Sequence, residues 1–176
     1  MPDMQDAFKK AGFNSTSTKR KCEGCGRPFV PRNPKHKLCP ACAMRGGPGL
    51  PDGYPDYFDS EGNLKCEYVT DLAQAIAERL GREKLTSHQL RAFYLHLKRL
   101  QASLDRGRPF KEIYPEICKL KPFAEERSAK GRIPKYFGEF IRRNVDKAVD
   151  QKAFEAGFVE HFQAVVAYCA GTVQTK

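Results

Sequence analysis

The stretch from Leu85 to Leu104 constrains the fold most, because it combines a helix start signal with a helical apolar period. Thr86 and Gln89 have the spacing of a capping box, in which the threonine accepts a hydrogen bond from the amide three residues on and the glutamine reaches back to the threonine amide. Leu85 and Leu90 have the spacing of a hydrophobic staple. Apolar residues then recur at three- and four-residue steps, which predicts an amphipathic helix. The apolar positions are Leu90, Phe93, Leu97, Leu100 and Leu104.

One flank of this predicted helix is polar and cationic. Ser87, Arg91 and Lys98 fall together outside the apolar positions. The helix is therefore expected to pack on one side and to offer hydroxyl and cationic groups on another.

Further amphipathic segments flank this helix. A turn around Gly62 leads into a short helix before it, and a third helix follows from residue 110, with Pro115 and Pro122 expected to kink or divide it. Pro134 suits the first turn of a fourth helix, and Asp150 can cap a fifth, which ends at Gly171. With no convincing alternating strand after residue 65, the sequence predicts a mainly α, five-helix bundle-like domain.

Four cysteines form two close pairs ahead of the helices. Cys22-x2-Cys25 and Cys39-x2-Cys42 are separated by 13 residues, and each pair can present two sulfurs to one ion from a tight turn. Four thiolates suit tetrahedral Zn²⁺, so we predict a structural zinc site in a small zinc-knuckle or ribbon module. His36 is a competing ligand by type, but four cysteines complete a closed site, and a closed site leaves no position for catalysis.

These features divide the chain into four predicted parts. Residues 1–18 are expected to form a flexible tail and residues 19–46 the four-cysteine zinc module. Residues 47–67 read as a Gly/Pro-rich linker and turn, and residues 68–171 as the helical domain.

The net charge is strongly positive. The chain carries 31 Lys and Arg against 21 Asp and Glu, a formal net charge of +10, which favours a polyanionic partner over a small-molecule substrate. Cations are dense in two places, the cysteine segment and residues 127–147. The cations of the cysteine segment are as consistent with RNA phosphates as with a solvated surface or a contact with an acidic protein partner. Helical cations at intervals, including Arg127, Arg132 and Arg142, can track a phosphate backbone without reading bases.

The run YFDSEGNLKCEYVTDLAQAIAERL, followed by LTSHQLRAFYLHLKRLQ, resembles the small subunit of the type III-A CRISPR (Csm) effector complex. The resemblance implies an all-helical, non-catalytic subunit that stacks in several copies along the groove where guide RNA pairs with target RNA. The resemblance implies that Arg91 and Lys98 face RNA. The resemblance supports an RNA-binding role for Lys121 and Arg127 less strongly, because the segment between these two residues departs from the family pattern.

No catalytic constellation is recognisable in the sequence, so we expect no enzyme activity. The predicted function is that of a non-catalytic small subunit in antiviral defence, with guide RNA, target RNA and other subunits of the effector complex, including further copies of itself, as partners. One alternative is a stand-alone zinc-ribbon regulator that binds nucleic acid, and another is an enzyme accessory subunit that recruits an acidic protein. The sequence shows neither a secretory signal nor a transmembrane run, so we expect a cytoplasmic protein with no membrane partner.

Overall fold

The structure, a computed structural model, describes residues 19–23, 27–31, 35–46, 49–51 and 53–172. Internal contacts divide the chain after Cys39 into an N-terminal unit and a helical unit that begins at Pro40. The predicted tail, residues 1–18, lies outside the described residues, and the predicted four-part division stays a prediction.

The N-terminal unit contains a small antiparallel hairpin. Strand β1 (Arg20–Lys21) pairs with β2 (Pro28–Phe29), so that Arg20 lies opposite Phe29 and Lys21 opposite Pro28. Two strands of this length are at best marginally stable alone. The hairpin therefore needs a further source of stability.

The helical unit confirms the prediction of a mainly α fold. Its helices are α1 (Pro40–Gly46), α2 (Asp71–Arg82), α3 (Ser87–Asp105), α4 (Phe110–Cys118), α5 (Leu120–Ala129), α6 (Lys135–Lys147) and α7 (Glu160–Cys169). A 3-10 turn, Cys66–Tyr68, precedes α2, and a π-helical segment, Ala153–Val159, runs directly into α7. The π-helical widening is a feature that the sequence pattern did not predict.

The start of α3 confirms the predicted capping box. Thr86 Oγ1 accepts a hydrogen bond from the Gln89 amide at 3.3 Å, and Gln89 Oε1 accepts one from the Thr86 amide at 2.9 Å. Leu85 and Leu90, the predicted staple pair, are both buried. The local sequence signal is therefore sufficient to fix where this helix begins.

The predicted third helix is divided. The division falls at Lys119, between Pro115 inside α4 and Pro122 in the first turn of α5. A proline in the first turn of a helix costs little, because the amide it lacks would have no partner there. The prediction that the two prolines divide this segment is confirmed.

A phenylalanine cluster forms the centre of the helical unit. Phe93 of α3 meets Phe137 of α6 edge to face at 5.2 Å between ring centroids. Phe140 contacts Phe162 of α7 at 5.3 Å, and Phe162 stacks on Phe158 at 6.0 Å. All five rings are fully buried. Burial of such side chains contributes about 1.5–3 kcal/mol each, so this cluster holds α3, α6 and α7 together.

A buried polar cluster ties the segment before α2 to the last two helices. Tyr57 Oη donates to Asn144 Oδ1 at 2.6 Å, and Asn144 Nδ2 donates to Tyr54 Oη at 3.0 Å. Tyr54 Oη also bonds to His161 Nε2 at 2.7 Å, and His161 Nδ1 lies 2.5 Å from the Tyr68 carbonyl oxygen. Because each of these buried polar side chains has partners, the cluster fixes this segment on α6 and α7 without an unsatisfied group among those atoms.

Candidate cysteine cluster and nucleic-acid interface

Backbone hydrogen bonds shape the N-terminal unit around its cysteines. The Cys22 amide donates to the Arg27 carbonyl at 2.9 Å, and the Glu23 amide donates to the Lys37 carbonyl at 3.0 Å. The Cys39 amide donates to Cys22 Sγ at 3.2 Å. The thiolate is the form of cysteine that binds metal.

Three cysteine sulfurs lie close together. The Sγ atoms of Cys22, Cys39 and Cys42 all lie within 4.8 Å of one another. Cys22 is buried, and the other two are half-buried. Cys25, the fourth predicted ligand, lies outside the described residues, and His36 is not a member of this cluster.

The chemistry of this cluster fits a metal ion. Thiolates are soft ligands that select zinc and related metals over magnesium or calcium. The three cysteines therefore can hold a metal ion, and the hydrogen bond from the Cys39 amide to Cys22 Sγ joins residues that are 17 positions apart in sequence.

The two RNA-facing residues predicted on α3 lie on one flank of that helix. Arg91 is exposed, and Lys98 is half-buried with its Nζ 2.5 Å from Gln101 Oε1. Tyr94 lies on the same side and donates from its Oη to Gln163 Oε1 at 3.2 Å. This flank therefore borders α7.

Lys121 and Arg142, two further predicted RNA-binding residues, meet through a carboxylate. Lys121 Nζ forms an ion pair with Asp146. Arg142 pairs with the same carboxylate through Nη1 at 3.3 Å, and with Glu139 through Nη2 at 2.7 Å. The hydrogen bond to Asp146 raises the pKa of Lys121 above its usual range. Both cations are already neutralised by acids, in ion pairs of a kind that contributes only about 0–1 kcal/mol at a surface.

Arg127 and Arg132 lie near the start of α3. The Arg127 guanidinium carbon lies 4.2 Å from the centroid of the Phe123 ring, and the Arg127 carbonyl accepts from the Arg132 amide at 2.8 Å. Gln89 Nε2 in turn donates to the Arg132 carbonyl. The connection between α5 and α6 is thereby attached to the N-terminal turn of α3.

The predicted RNA-binding residues consequently fall into separate groups. Gln89, which holds Arg132, lies about 200° around α3 from Arg91, because each residue advances an α-helix by about 100°. Lys98 lies about 180° from Gln89 by the same count. The structure brings Lys121 and Arg142 together, but it places Arg91 and Lys98 on the flank of α3 away from Arg132.

The sequence analysis missed two cations on the outward side of α3. Arg99 and Arg106, the residue that directly follows α3, are exposed on the same outward side as Leu95, which is 51 % exposed and lies between Arg91 and Arg99. We call His88, Arg91, Leu95, Arg99 and Arg106 the outer stripe. The absence of Asp and Glu from residues 87–104 is a feature of the sequence that could have indicated this cationic surface.

The cations of the outer stripe are not neutralised by acids. Within the described parts of the chain, Arg91 and Arg99 pair with no carboxylate. Arg106 donates from Nη2 to Ser103 Oγ at 3.3 Å, a neutral partner. The stripe therefore presents full positive charges to the solvent.

The buried histidine is not placed for catalysis. His161 is fully buried, both of its ring nitrogens have internal partners, and burial lowers its pKa to about 4. The imidazole is therefore neutral near pH 7, and its hydrogen bonds hold Tyr54 and Tyr68 in place rather than meeting a bound molecule.

No helix among residues 40–46, 71–147 and 153–169 is long and apolar enough to cross a bilayer. The fold and the site thus define a small, basic, helical protein with a cysteine-bearing N-terminal hairpin. Residues 63–170, more than half of the chain, match the model of the family Csm2 Type III-A, and the chain belongs to this family of small subunits of type III-A CRISPR complexes. A search of curated proteins and a search of solved structures found no match. The resemblance stated from the sequence is confirmed for the helical part, and the cysteine cluster lies outside the matched residues.

Proposed function

We propose that this chain is a non-catalytic small subunit of a type III-A CRISPR RNA-guided effector complex, where it binds the backbone of guide and target RNA and stacks on neighbouring subunits. The family match over residues 63–170 carries this proposal, because it covers the unit in which the predicted RNA-facing cations lie. The partners are guide RNA, target RNA and other subunits, including further copies of this chain. The place of action is the cytoplasm, in antiviral defence.

The proposed mechanism is electrostatic. Arginine and lysine contacts to phosphates position a protein on nucleic acid but carry no sequence information. Sequence specificity then comes from base pairing between guide and target, as in other RNA-guided systems. This chain needs only to hold the RNA backbone and its neighbouring subunits in place.

We further propose that Cys22, Cys25, Cys39 and Cys42 hold a structural Zn²⁺. The proximity of three of these sulfurs supports the proposal. Bound zinc would cross-link the two cysteine pairs, which stabilises a hairpin whose strands have two residues each. Four protein ligands would leave no open coordination position.

One observation favours a second candidate function. The cysteine cluster lies outside the family match, and the segment around it carries eight cations against one acid. The cations are Lys19, Arg20, Lys21, Arg27, Arg32, Lys35, Lys37 and Arg45, and the acid is Glu23. A stand-alone zinc-ribbon regulator that binds nucleic acid through this segment is therefore the alternative.

Co-purification tests the main proposal. A tagged full-length chain, expressed with its neighbouring CRISPR genes, is expected to bring down the guide RNA and the large polymerase-like subunit. Charge reversal at Arg32, Lys35 and Lys37 provides the comparison, because it alters the cysteine segment and leaves the helical unit unchanged. Recovery of the wild-type chain without guide RNA and without the other subunits would contradict the small-subunit proposal. RNA binding that fails only in the charge-reversed variant would support the regulator instead.

A further inference from the structure

We infer that the outer stripe of α3, rather than the ion-paired cluster around Asp146, is the surface that contacts the sugar–phosphate backbone of RNA. The inference rests on the proposed RNA-binding function and adds Arg99 and Arg106 to the residues that perform it. It also separates the predicted RNA-binding residues into those that are free to meet a phosphate and those that are held by acids.

The stripe is long enough to follow a nucleic-acid strand. Arg91 and Arg99 are eight residues apart, which is about 12 Å along a helix, and Arg106 follows after about another 10 Å. Arg99 and Arg106 lie about 160–180° around α3 from Leu97, which is fully buried in the core, and Arg91 lies about 120° from it. The stripe therefore faces away from the buried side of α3, with Arg91 at the edge nearer α7.

The charge balance distinguishes the stripe from the other cationic group. A phosphate that approaches Arg142 must displace bonds to Glu139 and Asp146, and one that approaches Lys121 must displace Asp146. A phosphate that approaches Arg99 displaces only water and mobile counter-ions. Release of counter-ions is the main source of affinity in backbone binding, so the stripe is the better phosphate surface.

The chemistry of the stripe also fits RNA. A guanidinium can make two parallel hydrogen bonds to a phosphate. Leu95, 51 % exposed between Arg91 and Arg99, adds an apolar contact that suits the ribose between successive phosphates. From Ser87 to Leu104 the helix carries no acid, and its one acid is its last residue, Asp105, so no acid lies between Arg91 and Arg99.

Salt-dependent binding of a single-stranded RNA of fixed sequence to the full-length chain tests the inference. The Arg99→Ala/Arg106→Ala variant should weaken binding and flatten the log–log salt dependence by about 0.7 for each arginine–phosphate interaction removed, or about 1.4 in total. Lys121→Ala/Arg142→Ala, which also removes two cations, should leave the slope near that of the wild type. Lys111→Ala, an exposed position on α4, controls for the loss of one charge.

Two further measurements make the result decisive. Arg99→Lys/Arg106→Lys keeps both charges and should retain the salt slope. Circular dichroism should show an unchanged helix content for the alanine variant, since alanine is the strongest helix former. A variant that unfolds is replaced in the comparison by Arg99→Gln/Arg106→Gln.

Failure of the inference and failure of the proposed function give different results. If the wild-type chain binds RNA and the stripe variants bind it with unchanged affinity and slope, the inference is wrong while the proposed function stands. The inference is also wrong if the stripe variants keep RNA but lose a protein subunit, because the stripe then binds an acidic protein. If the wild-type chain binds no RNA, either alone or within the assembled complex, both the proposed function and the inference are wrong.

Discussion

The ring of Tyr57 lies directly against Gly157: a Cβ atom added to the glycine would come within 2.5 Å of Tyr57 Cδ2 and 2.8 Å of Cε2. Tyr57 is fully buried, and its Oη is held by Asn144, so the ring cannot move aside easily. We expect Gly157→Ala to lower the free energy of unfolding by about 1–3 kcal/mol, as overpacking does. Urea denaturation monitored by circular dichroism measures this change.

Gly171→Ala is the matched control for that substitution, because a Cβ atom at Gly171 would meet no atom within 4 Å. Its effect should stay within about 0.5 kcal/mol. Alanine normally stabilises a helix relative to glycine by about 1 kcal/mol. A Gly157→Ala protein more stable than the wild type by about 1 kcal/mol would therefore show that the tyrosine ring is not packed on the glycine.

Two leucines on α3 separate the core from the surface. Leu97 is fully buried, whereas Leu95 is 51 % exposed. Leu97→Ala should cost about 2–5 kcal/mol of stability, because it removes buried apolar surface and leaves a cavity. Leu95→Ala should change stability by no more than about 0.5 kcal/mol. Equal losses of stability for the two variants in thermal or urea denaturation would mean that α3 does not bury Leu97 and expose Leu95 as described.

The buried histidine predicts a pH dependence of stability. The pKa of His161 is lowered by burial from its ordinary 6.5 to about 4 in the folded protein. Between these two values the unfolded chain binds more protons than the folded one, so stability falls as the pH is lowered from 6.5 to 4. The contribution of this group is at most about 1.4 kcal/mol for each pH unit.

His161→Gln tests that contribution, because glutamine can keep a hydrogen bond to Tyr54 or to the Tyr68 carbonyl without gaining a proton. The variant should lose less stability than the wild type between pH 6.5 and pH 4, whatever its stability at neutral pH. Parallel curves of unfolding free energy against pH for the two proteins would rule out His161 as the source.

Metal content tests the cysteine cluster. Freshly purified, reduced protein should contain about one zinc per chain, and Cys39→Ser should lose it. Cys66→Ser is the control, since Cys66 is exposed and lies outside the cluster. Chelation should leave most of the helical circular dichroism, because the phenylalanine core belongs to the helical unit. Wild-type protein without zinc, or loss of most helical signal on chelation, would contradict these expectations.

Sequence reasoning succeeded where the determining interactions are local. The Thr86–Gln89 box and the three- and four-residue steps from Leu90 concern neighbours within one or two helical turns, so both could be recognised without knowledge of the fold. The cap at Asp150 is another local case, since Asp150 Oδ1 accepts from the Ala153 amide at 2.7 Å. Three of the four predicted cysteines lie close together, whereas the four-cysteine site stays a prediction because Cys25 lies outside the described residues.

The remaining features depend on contacts between distant parts of the chain. Tyr54 and His161 are 107 positions apart, and nothing around either residue indicates the other. The π-helical segment was missed because Phe154, Phe158 and Phe162 also have the four-residue spacing of a regular helix. The pairing of Lys121 with Asp146 likewise joins different helices, so the sequence alone could not tell a neutralised cation from a free one.

Gln89 performs two tasks with one amide group. Its Oε1 accepts from the Thr86 amide to complete the cap of α3, and its Nε2 donates to the carbonyl of Arg132 in the connection between α5 and α6. In capping boxes generally, glutamate serves as well as glutamine, because only an acceptor is needed. Here a glutamate would keep the cap but would face the Arg132 carbonyl with a charged acceptor instead of a donor. Glutamine and glutamate cap a helix equally well in general, but they are not equivalent at this position. Only the amide of glutamine can also donate a hydrogen bond to the distant connection.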